Sequence, residues 1–318
     1  MKSAVSILAL LLSSACWAQS FPSKPITMVV GFEPGGGTDT VARVVAKFLG
    51  DNIGQQVLVE NRAGAGGNIA VDYVIKSAPD GYTIVLGNVG ALTVNPHIMK
   101  LGYDPLRDLA PVTMAVVFPN IIVTNPKRMP AKTLAEFIKI AKEKPNTVTF
   151  GSSGIGGAGH LAGALLEDMA HVELVHVPYK GGGPAMRGLL GGEVDCYIST
   201  PVAALPHIKS GKVVAIASTG AKRSTALPEV PTIAESGYPG YEAVNWYAYL
   251  APAATPRPVI DYLNREIGKV LRDPKAASLL DKQGVDPEPT TPEALGAYMK
   301  REYETWGKVV KQKGIKAE

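Results

Sequence analysis

The sequence predicts an α/β protein of two lobes, each a mostly parallel sheet flanked by helices, with two crossover strands joining them. Three observations carry that expectation. Strand and helix alternate twice along the chain, a glycine-rich strand-to-helix loop opens each alternation, and long apolar runs separate and follow them. With 318 residues, 46% hydrophobic and 19% charged, the chain is long and apolar enough for two cores and too poor in charge for disorder.

The first 18 residues read as an export signal and not as fold. Lys2 supplies the positive start, residues 5–12 the apolar stretch, and Cys16-Trp17-Ala18 a cleavage site before Gln19. The stretch is too short for a membrane anchor. Cys16 raises a lipoprotein alternative, but Ser13-Ser14-Ala15 is a poor lead-in to a lipid-modified cysteine. The expected product is a cleaved, soluble, periplasmic chain. Loss of Lys2 takes the formal charge from +4 to +3 (4 − 1), and Cys196 becomes the one remaining cysteine, so no internal disulfide can form. The basic residues are dispersed and leave no footprint for nucleic acid.

The first alternation begins with the apolar run Ile26-Thr27-Met28-Val29-Val30, a buried strand. The loop Gly31-Phe32-Glu33-Pro34-Gly35-Gly36-Gly37-Thr38-Asp39 follows, then Val41, Val44, Val45, Phe48 and Leu49 on one helical stripe. Thr38 and Asp39 are candidate N-caps. Next come a strand at residues 57–59, a helix from about Asn68, the turn Pro79-Asp80-Gly81 and a strand at 83–86 ending in Gly87-Asn88. Apolar runs at 112–118 and 121–123, broken by Pro119-Asn120, mark a change of lobe. Beyond them Thr133 and Glu136 have capping-box spacing, and strand 148–150 leads into the second loop. Further strands are expected at 174–177, 194–198 and 213–217, then the run Trp246-Tyr247-Ala248-Tyr249-Leu250 and a helical tail. The expected division is 19–121 plus 247–318 for one lobe and 122–246 for the other.

The second loop is Gly151-Ser152-Ser153-Gly154-Ile155-Gly156-Gly157-Ala158-Gly159-His160. Alone, either loop could be a tight turn without a ligand. Together, at the carboxyl ends of two sheets, they would face two bare helix N-termini across a cleft. Such ends offer unpaired N–H donors and about half a positive charge each, which suits an anion.

Other chemistries fit less well. Residues 154–159 satisfy G-x-G-x-x-G and Glu173 lies about twenty residues on, but Glu173 opens the next strand instead of ending it. Ser152 and Ser153 miss the serine-hydrolase elbow because Ile155 stands where glycine is needed. His97, His160, His171, His176 and His207 lack metal-ligand spacing, and Gly211-Lys212, Gly268-Lys269 and Gly307-Lys308 lack the Ser or Thr of a Walker A loop. No cofactor, metal or catalytic residue is expected. Lys180, in Pro178-Tyr179-Lys180-Gly181-Gly182-Gly183-Pro184, and Ser199-Thr200-Pro201 could line the cleft, whereas Trp246 and Tyr247 suit core or hinge packing.

The two loops, with Glu60-Asn61-Arg62-Ala63-Gly64-Ala65-Gly66-Gly67-Asn68, Pro79-Asp80-Gly81-Tyr82-Thr83, Val177-Pro178-Tyr179-Lys180-Gly181 and Leu250-Ala251-Pro252-Ala253-Ala254-Thr255-Pro256, carry a resemblance over essentially the whole mature chain. It resembles the Bug family, the extracytoplasmic receptors of tripartite tricarboxylate transporters. The resemblance implies a type II periplasmic-binding-protein fold, monomeric, closing on a small carboxylate held largely by backbone amides and ordered water. It implies partnership with membrane transporter subunits; a solute sensor for a signalling partner and an exported dinucleotide enzyme are the alternatives. Positions matching the family's binding loops are Phe32, Gly35, Gly36, Gly37, Thr38, Asp39, Gly87, Asn88, Gly151, Ser152, Ser153, Gly156, Gly157, His160, Ser199 and Thr200, with Lys180 a possible supplement. Asp39 sits awkwardly in an anion site and is expected to cap its helix away from the ligand or to accept from a ligand amine.

Overall fold

The computed structural model describes residues 21–314, so the expected signal segment and its cleavage site lie outside the described residues. Each apolar run of the first alternation becomes a strand, and each striped segment a helix. In order these are β1 (Ile26–Val30), α1 (Gly37–Ile53), β2 (Val57–Asn61), α2 (Asn68–Ile75) and β3 (Thr83–Asn88). A π-helical turn, Gly90–Val94, runs into α3 (Asn95–Ile98). The long strand β4 (Leu109–Pro119) then leads, through Asn120 alone, to β5 (Ile121–Thr124).

The second alternation is α4 (Leu134–Glu143), β6 (Thr149–Ser152), α5 (Ala158–Ala170), β7 (Val175–Pro178), α6 (Gly182–Gly191), β8 (Cys196–Ser199), α7 (Pro201–Lys209) and β9 (Val214–Ser218). The chain returns through β10 (Val244–Pro252) to α8 (Arg257–Arg272), α9 (Pro274–Asp281), the short β11 (Asp286–Pro287) and α10 (Pro292–Lys313). Among the described residues no helix is long and apolar enough to cross a membrane.

Two sheets result. The first has the order β11-β4-β10-β3-β1-β2 and the second β7-β6-β8-β5-β9. The βαβ units are parallel, β1 with β2 and β3, and β6 with β7 and β8. The crossover strands run the other way: β10 is antiparallel to β3 and β4, and β5 to β8 and β9. Each sheet is therefore mixed, because a strand arriving from the other sheet enters from the opposite end.

Both sheets are covered on both faces. Along β1, Met28 points to a core with Val41, Val45, Leu49, Leu263 and Ile267, while Val29 points to one with Val71, Val74, Trp246, Leu295 and Met299. This alternation is the period-2 geometry of a strand. The second sheet packs Phe137, Phe150, Leu166 and Ile198 on one side and Tyr197, Leu189 and Leu205 on the other. Cys196 is a free, buried thiol whose pKa burial pushes up. Trp246 is fully buried and shares Glu302 Oε2 with Trp306, at 3.3 and 3.1 Å, which ties α10 to the back of β10.

The passages between sheets are stitched at one point. Asn120 N donates to Thr219 Oγ1 at 2.8 Å, and Thr219 N donates to Asn120 O at 2.9 Å. Thr219 Oγ1 donates in turn to Ala243 O at 2.7 Å, and Ala243 N to Thr219 O at 2.8 Å. Thr219 is fully buried, so these bonds lie out of water.

Candidate ligand cleft

The first glycine loop ends in α1, but its cap is not the one expected. Gly36 is the N-cap, with extended backbone and no side-chain cap bond, and Thr38 and Asp39 fall inside the first turn. Asp39 is drawn away by better partners. Its carboxylate accepts from Gly35 N at 3.1 Å, from Arg43 Nε at 3.0 Å and from Asn61 Nδ2 at 3.0 Å. Burial alone would raise its pKa, but the bonds from Arg43, Asn61 and Gly35 outweigh that and hold the group below the ordinary carboxylate range. The acid is thus ionised, paired and turned toward β2, which resolves its awkward place beside an anion site.

The second loop is held by uncharged groups. Ser152 Oγ accepts from Gly154 N at 3.1 Å and lies 2.7 Å from His176 Nε2. His160 Nδ1 accepts from Gly156 N at 3.1 Å, so in this arrangement its proton is on Nε2. The His160 ring stacks on His176 at 4.1 Å and 11°, and His176 stacks on Phe150 at 4.8 Å. Burial pushes His160 down to about 4; burial and the neighbouring His160 push His176 down to about 3. Both rings are neutral at neutral pH. The Gly156 N–H, one of the donors the sequence offers to a ligand, is already used by His160.

Between the sheets lies a small inner chamber of about 20 Å³. That is room for about one water, or for one small end of a larger molecule. Phe32, Gly37, Thr38 and Asn88 line it from the first sheet, and Ser153, Ala158, Gly182 and Thr200 from the second. Asn245 and Tyr247 enter from β10. Four helices begin at this wall: α1 at Gly37, α5 at Ala158, α6 at Gly182 and α7 after its N-cap Thr200. First-turn N–H groups have no partner within a helix, and these four positive ends border one chamber. In α7, however, Pro201 has no N–H and the Ala203 N–H is capped by Thr200 Oγ1 at 3.4 Å. No Arg, Lys, Asp or Glu stands in the chamber wall.

An outer cleft of about 390 Å³ shares Phe32 and Ser153 with the chamber and is bounded by Gly64, Gly66, Met99, Ile155 and Lys180. Lys180 lines this outer part, and its carbonyl accepts from Glu33 N at 3.0 Å across the two halves. The halves meet backbone to backbone. A Cβ on Gly36 would lie 3.2 Å from Gly182 N, and one on Gly66 2.6 Å from Ile155 O. Gly156, at φ +70°, faces the buried Asn95, whose Oδ1 a Cβ there would strike.

The remaining residues named from the sequence stand behind the wall. Gly35 sits at the bend that donates to Asp39. Gly87 packs under Leu92, Gly151 lies within β6 beside Tyr179, and Gly157 is the N-cap of α5. Ser199 is fully buried and donates to Thr200 O at 2.9 Å. Of the lining residues, Gly182 lies in the stretch the sequence offered, Tyr247 was expected to be core or hinge packing, and Ala158 and Asn245 were not singled out. The glycine run 181–183 was a signal for Gly182, but nothing local marks Asn245. Among the described residues no group of side chains is placed to hold a metal.

A more apolar crevice of about 370 Å³ lies behind the passages, between α5 and α10. Its charged wall residues are Glu242 and Glu302, which would repel an anion. The chamber is the better anion site, because helix N-termini meet there.

Two mixed sheets, joined by paired crossovers around a donor-lined chamber, define a solute-binding receptor of the periplasmic-binding-protein type. Residues 41–315 match the family model described as tripartite tricarboxylate transporter family receptor, TctC. The chain belongs to that family, which is also the Bug family of receptors. It is 36% identical to the periplasmic binding protein BugD, with a TM-score of 0.89 over 94% of this chain and all of the other. It is similar to a Rhodopseudomonas palustris protein, Rpa4515, solved with adipate (36% identity, TM-score 0.90, 93% of this chain and 99% of that one). MatC from Rhodopseudomonas palustris, solved with bound malate, is 32% identical with a TM-score of 0.85 over 91% of this chain and all of its own. Family and fold are those of solute-binding receptors, which are not enzymes.

Proposed function

We propose that the protein is an exported receptor that closes two lobes on a small carboxylate and delivers it to the membrane subunits of a tripartite tricarboxylate-type transporter. The observation that carries the reading is the convergence of four helix N-termini on a chamber whose wall has no charged side chain. One helix end supplies about 0.3–2 kcal/mol to an anion, and micromolar binding needs about 8 kcal/mol. Several ends together, with closure around the ligand, reach that range where one cannot. The relatives solved with adipate and malate add support, and the family's name supports the transporter as partner.

In this reading the first sheet and the C-terminal helices form one lobe, roughly 19–121 plus 247–318. Residues 122–246 form the other, with the Asn120–Thr219 bonds as hinge. One carboxylate end enters the chamber, held by first-turn N–H groups of α1, α5 and α6, by the positive end of α7, and by the side chains of Thr38, Ser153 and Thr200. The rest of the ligand extends into the outer cleft, where Lys180 supplements the field. The receptor acts as a monomer in this reading. Cleavage after Ala18 would release it into the periplasm.

The test is a thermal-shift series on the mature protein with mono-, di- and tricarboxylates, amino acids, aromatic acids and NAD. A carboxylate should raise the melting temperature progressively with concentration, while NAD should not. Small-angle scattering with that ligand should show compaction. A panel in which no carboxylate stabilises the protein overturns the reading.

A further inference from the structure

The chamber has a polar wall that helix ends and a carboxylate leave unexplained. Asn245, the second residue of β10, is 6% exposed and lines the chamber. Its Nδ2 donates to Asn120 Oδ1 at 3.4 Å, and its own Oδ1 has no partner. Asn120 is 1% exposed and its Nδ2 is likewise unpaired. The backbone of each is fixed. Asn120 is pinned at N and O by Thr219, and Asn245 is fixed opposite Phe118 in the β10–β4 ladder. A buried polar atom without a partner is unfavourable and needs an explanation.

We propose that Asn245 is a specificity-determining residue: its amide oxygen accepts a hydrogen bond from a hydroxyl on the carbon next to the ligand's carboxylate. The receptor therefore favours 2-hydroxycarboxylates over the same skeleton without the hydroxyl. This rests on the carboxylate reading above and adds the chemical class of the ligand. Helix N-termini supply donors only, so they satisfy carboxylate oxygens but not the Asn245 acceptor. A carboxylate oxygen placed against Oδ1 would be repelled, whereas an adjacent hydroxyl donates to it while the carboxylate faces the N–H groups. A 2-ammonium group could also donate, but it would stand among four positive helix ends.

A competing arrangement makes a different prediction. If both amides turn over together, the bond between them survives and Asn245 presents N–H to the carboxylate itself. Matched ligand pairs separate the two: succinate with malate, propanoate with lactate, and glutarate with 2-hydroxyglutarate. Calorimetry on the mature full chain would compare the natural protein with Asn245→Leu, which keeps the volume and removes the amide. Asn245→Ala serves as the second variant should leucine lower the melting temperature. The natural protein should prefer the hydroxylated member of at least one pair by about tenfold, the worth of one hydrogen bond. In the variants that ratio should fall toward one, with the loss concentrated on the hydroxylated member. Equal losses for both members, or no preference in the natural protein, overturn the hydroxyl contact while leaving the carboxylate reading standing. If no member of any pair binds, the hydroxyl contact falls, and the carboxylate reading is decided by the wider thermal-shift panel.

Discussion

The loop ahead of α1 is braced by charge, and the loop ahead of α5 by stacked neutral rings. Both end in a glycine N-cap whose first turn faces the chamber. Behind the first, Asp39 gathers Gly35, Arg43 and Asn61, with Arg43 half exposed to solvent. Behind the second, Ser152, His176 and His160 pass hydrogen bonds and ring contacts from strand to loop, all largely buried. The same backbone geometry is thus reached by two supports that fail under different conditions. An ionic brace holds while its carboxylate is charged. A buried imidazole pair holds while its rings are not.

The sharpest way to break the second support is Gly156→Val. The φ of +70° resists a branched residue, and the added Cβ meets Asn95 Oδ1 across the cleft. Ligand affinity should fall by about 100-fold or more, roughly 3 kcal/mol, in calorimetry on a variant whose fold is checked by circular dichroism. Gly36→Val, whose Cβ meets Gly182 N at 3.2 Å, should lose less; the opposite order would show that the first loop dominates.

Acid separates the two braces next. Both histidines lie below their ordinary 6.5, at about 4 and about 3, so under pH 6.5 the unfolded chain binds protons that the folded chain refuses. Stability from this pair is complete above 6.5 and drains as pH falls toward 4 and then 3, amounting to a few kcal/mol. Asp39 has its folded pKa below 3.8, so its contribution is complete above 3.8 and is lost only as pH falls through that lower value. Denaturant unfolding at pH 7, 5.5 and 4.5 should show the decline, and His176→Phe should flatten it. Amide exchange at Gly156 should quicken before that at Gly35.

At neutral pH the first brace is tested by Asp39→Asn, which removes a charge-assisted set of bonds. The expected loss is on the order of 2 kcal/mol of stability, read as a lower melting temperature, with Gly35 amide exchange accelerated and Gly156 unchanged. Lys180→Ala should have the smallest effect. Its charge sits in the open outer cleft and its carbonyl bond to Glu33 N survives, so affinity should change only a few-fold, about 1 kcal/mol or less. Abolished binding would move the anchor from the helix ends to Lys180.

The strand–helix alternation was legible because buried runs such as residues 26–30 are strongly apolar and glycine punctuates their ends. Both glycine loops were visible for the same reason. The cap of α1 was not, because Asp39 belongs to a bond network that includes Asn61, 22 residues on, and local spacing shows only its own turn. Ser152 and His160 could be marked as loop residues, yet their link runs through His176 on the neighbouring strand, 24 residues from Ser152. Asn245 is 125 residues from Asn120, and only the meeting of two crossovers makes them neighbours. Residues brought together by topology leave no local signature.

The backbone seam across the cleft bears on how such a receptor can be changed. In the proposed closure the halves meet at Gly36 against Gly182 and at Gly66 against Ile155, where an added Cβ would lie 3.2 and 2.6 Å from backbone atoms. In the proposed function, selecting the cargo falls to other positions, Thr38, Asn88, Ser153 and Asn245, whose side chains line the chamber without forming those glycine contacts. Moving part and reading part are therefore separate sets of residues. On the proposed reading, drift or engineering at the four lining positions would retune diet while the latch is inherited intact, whereas a side chain at the seam would weaken closure for every ligand alike.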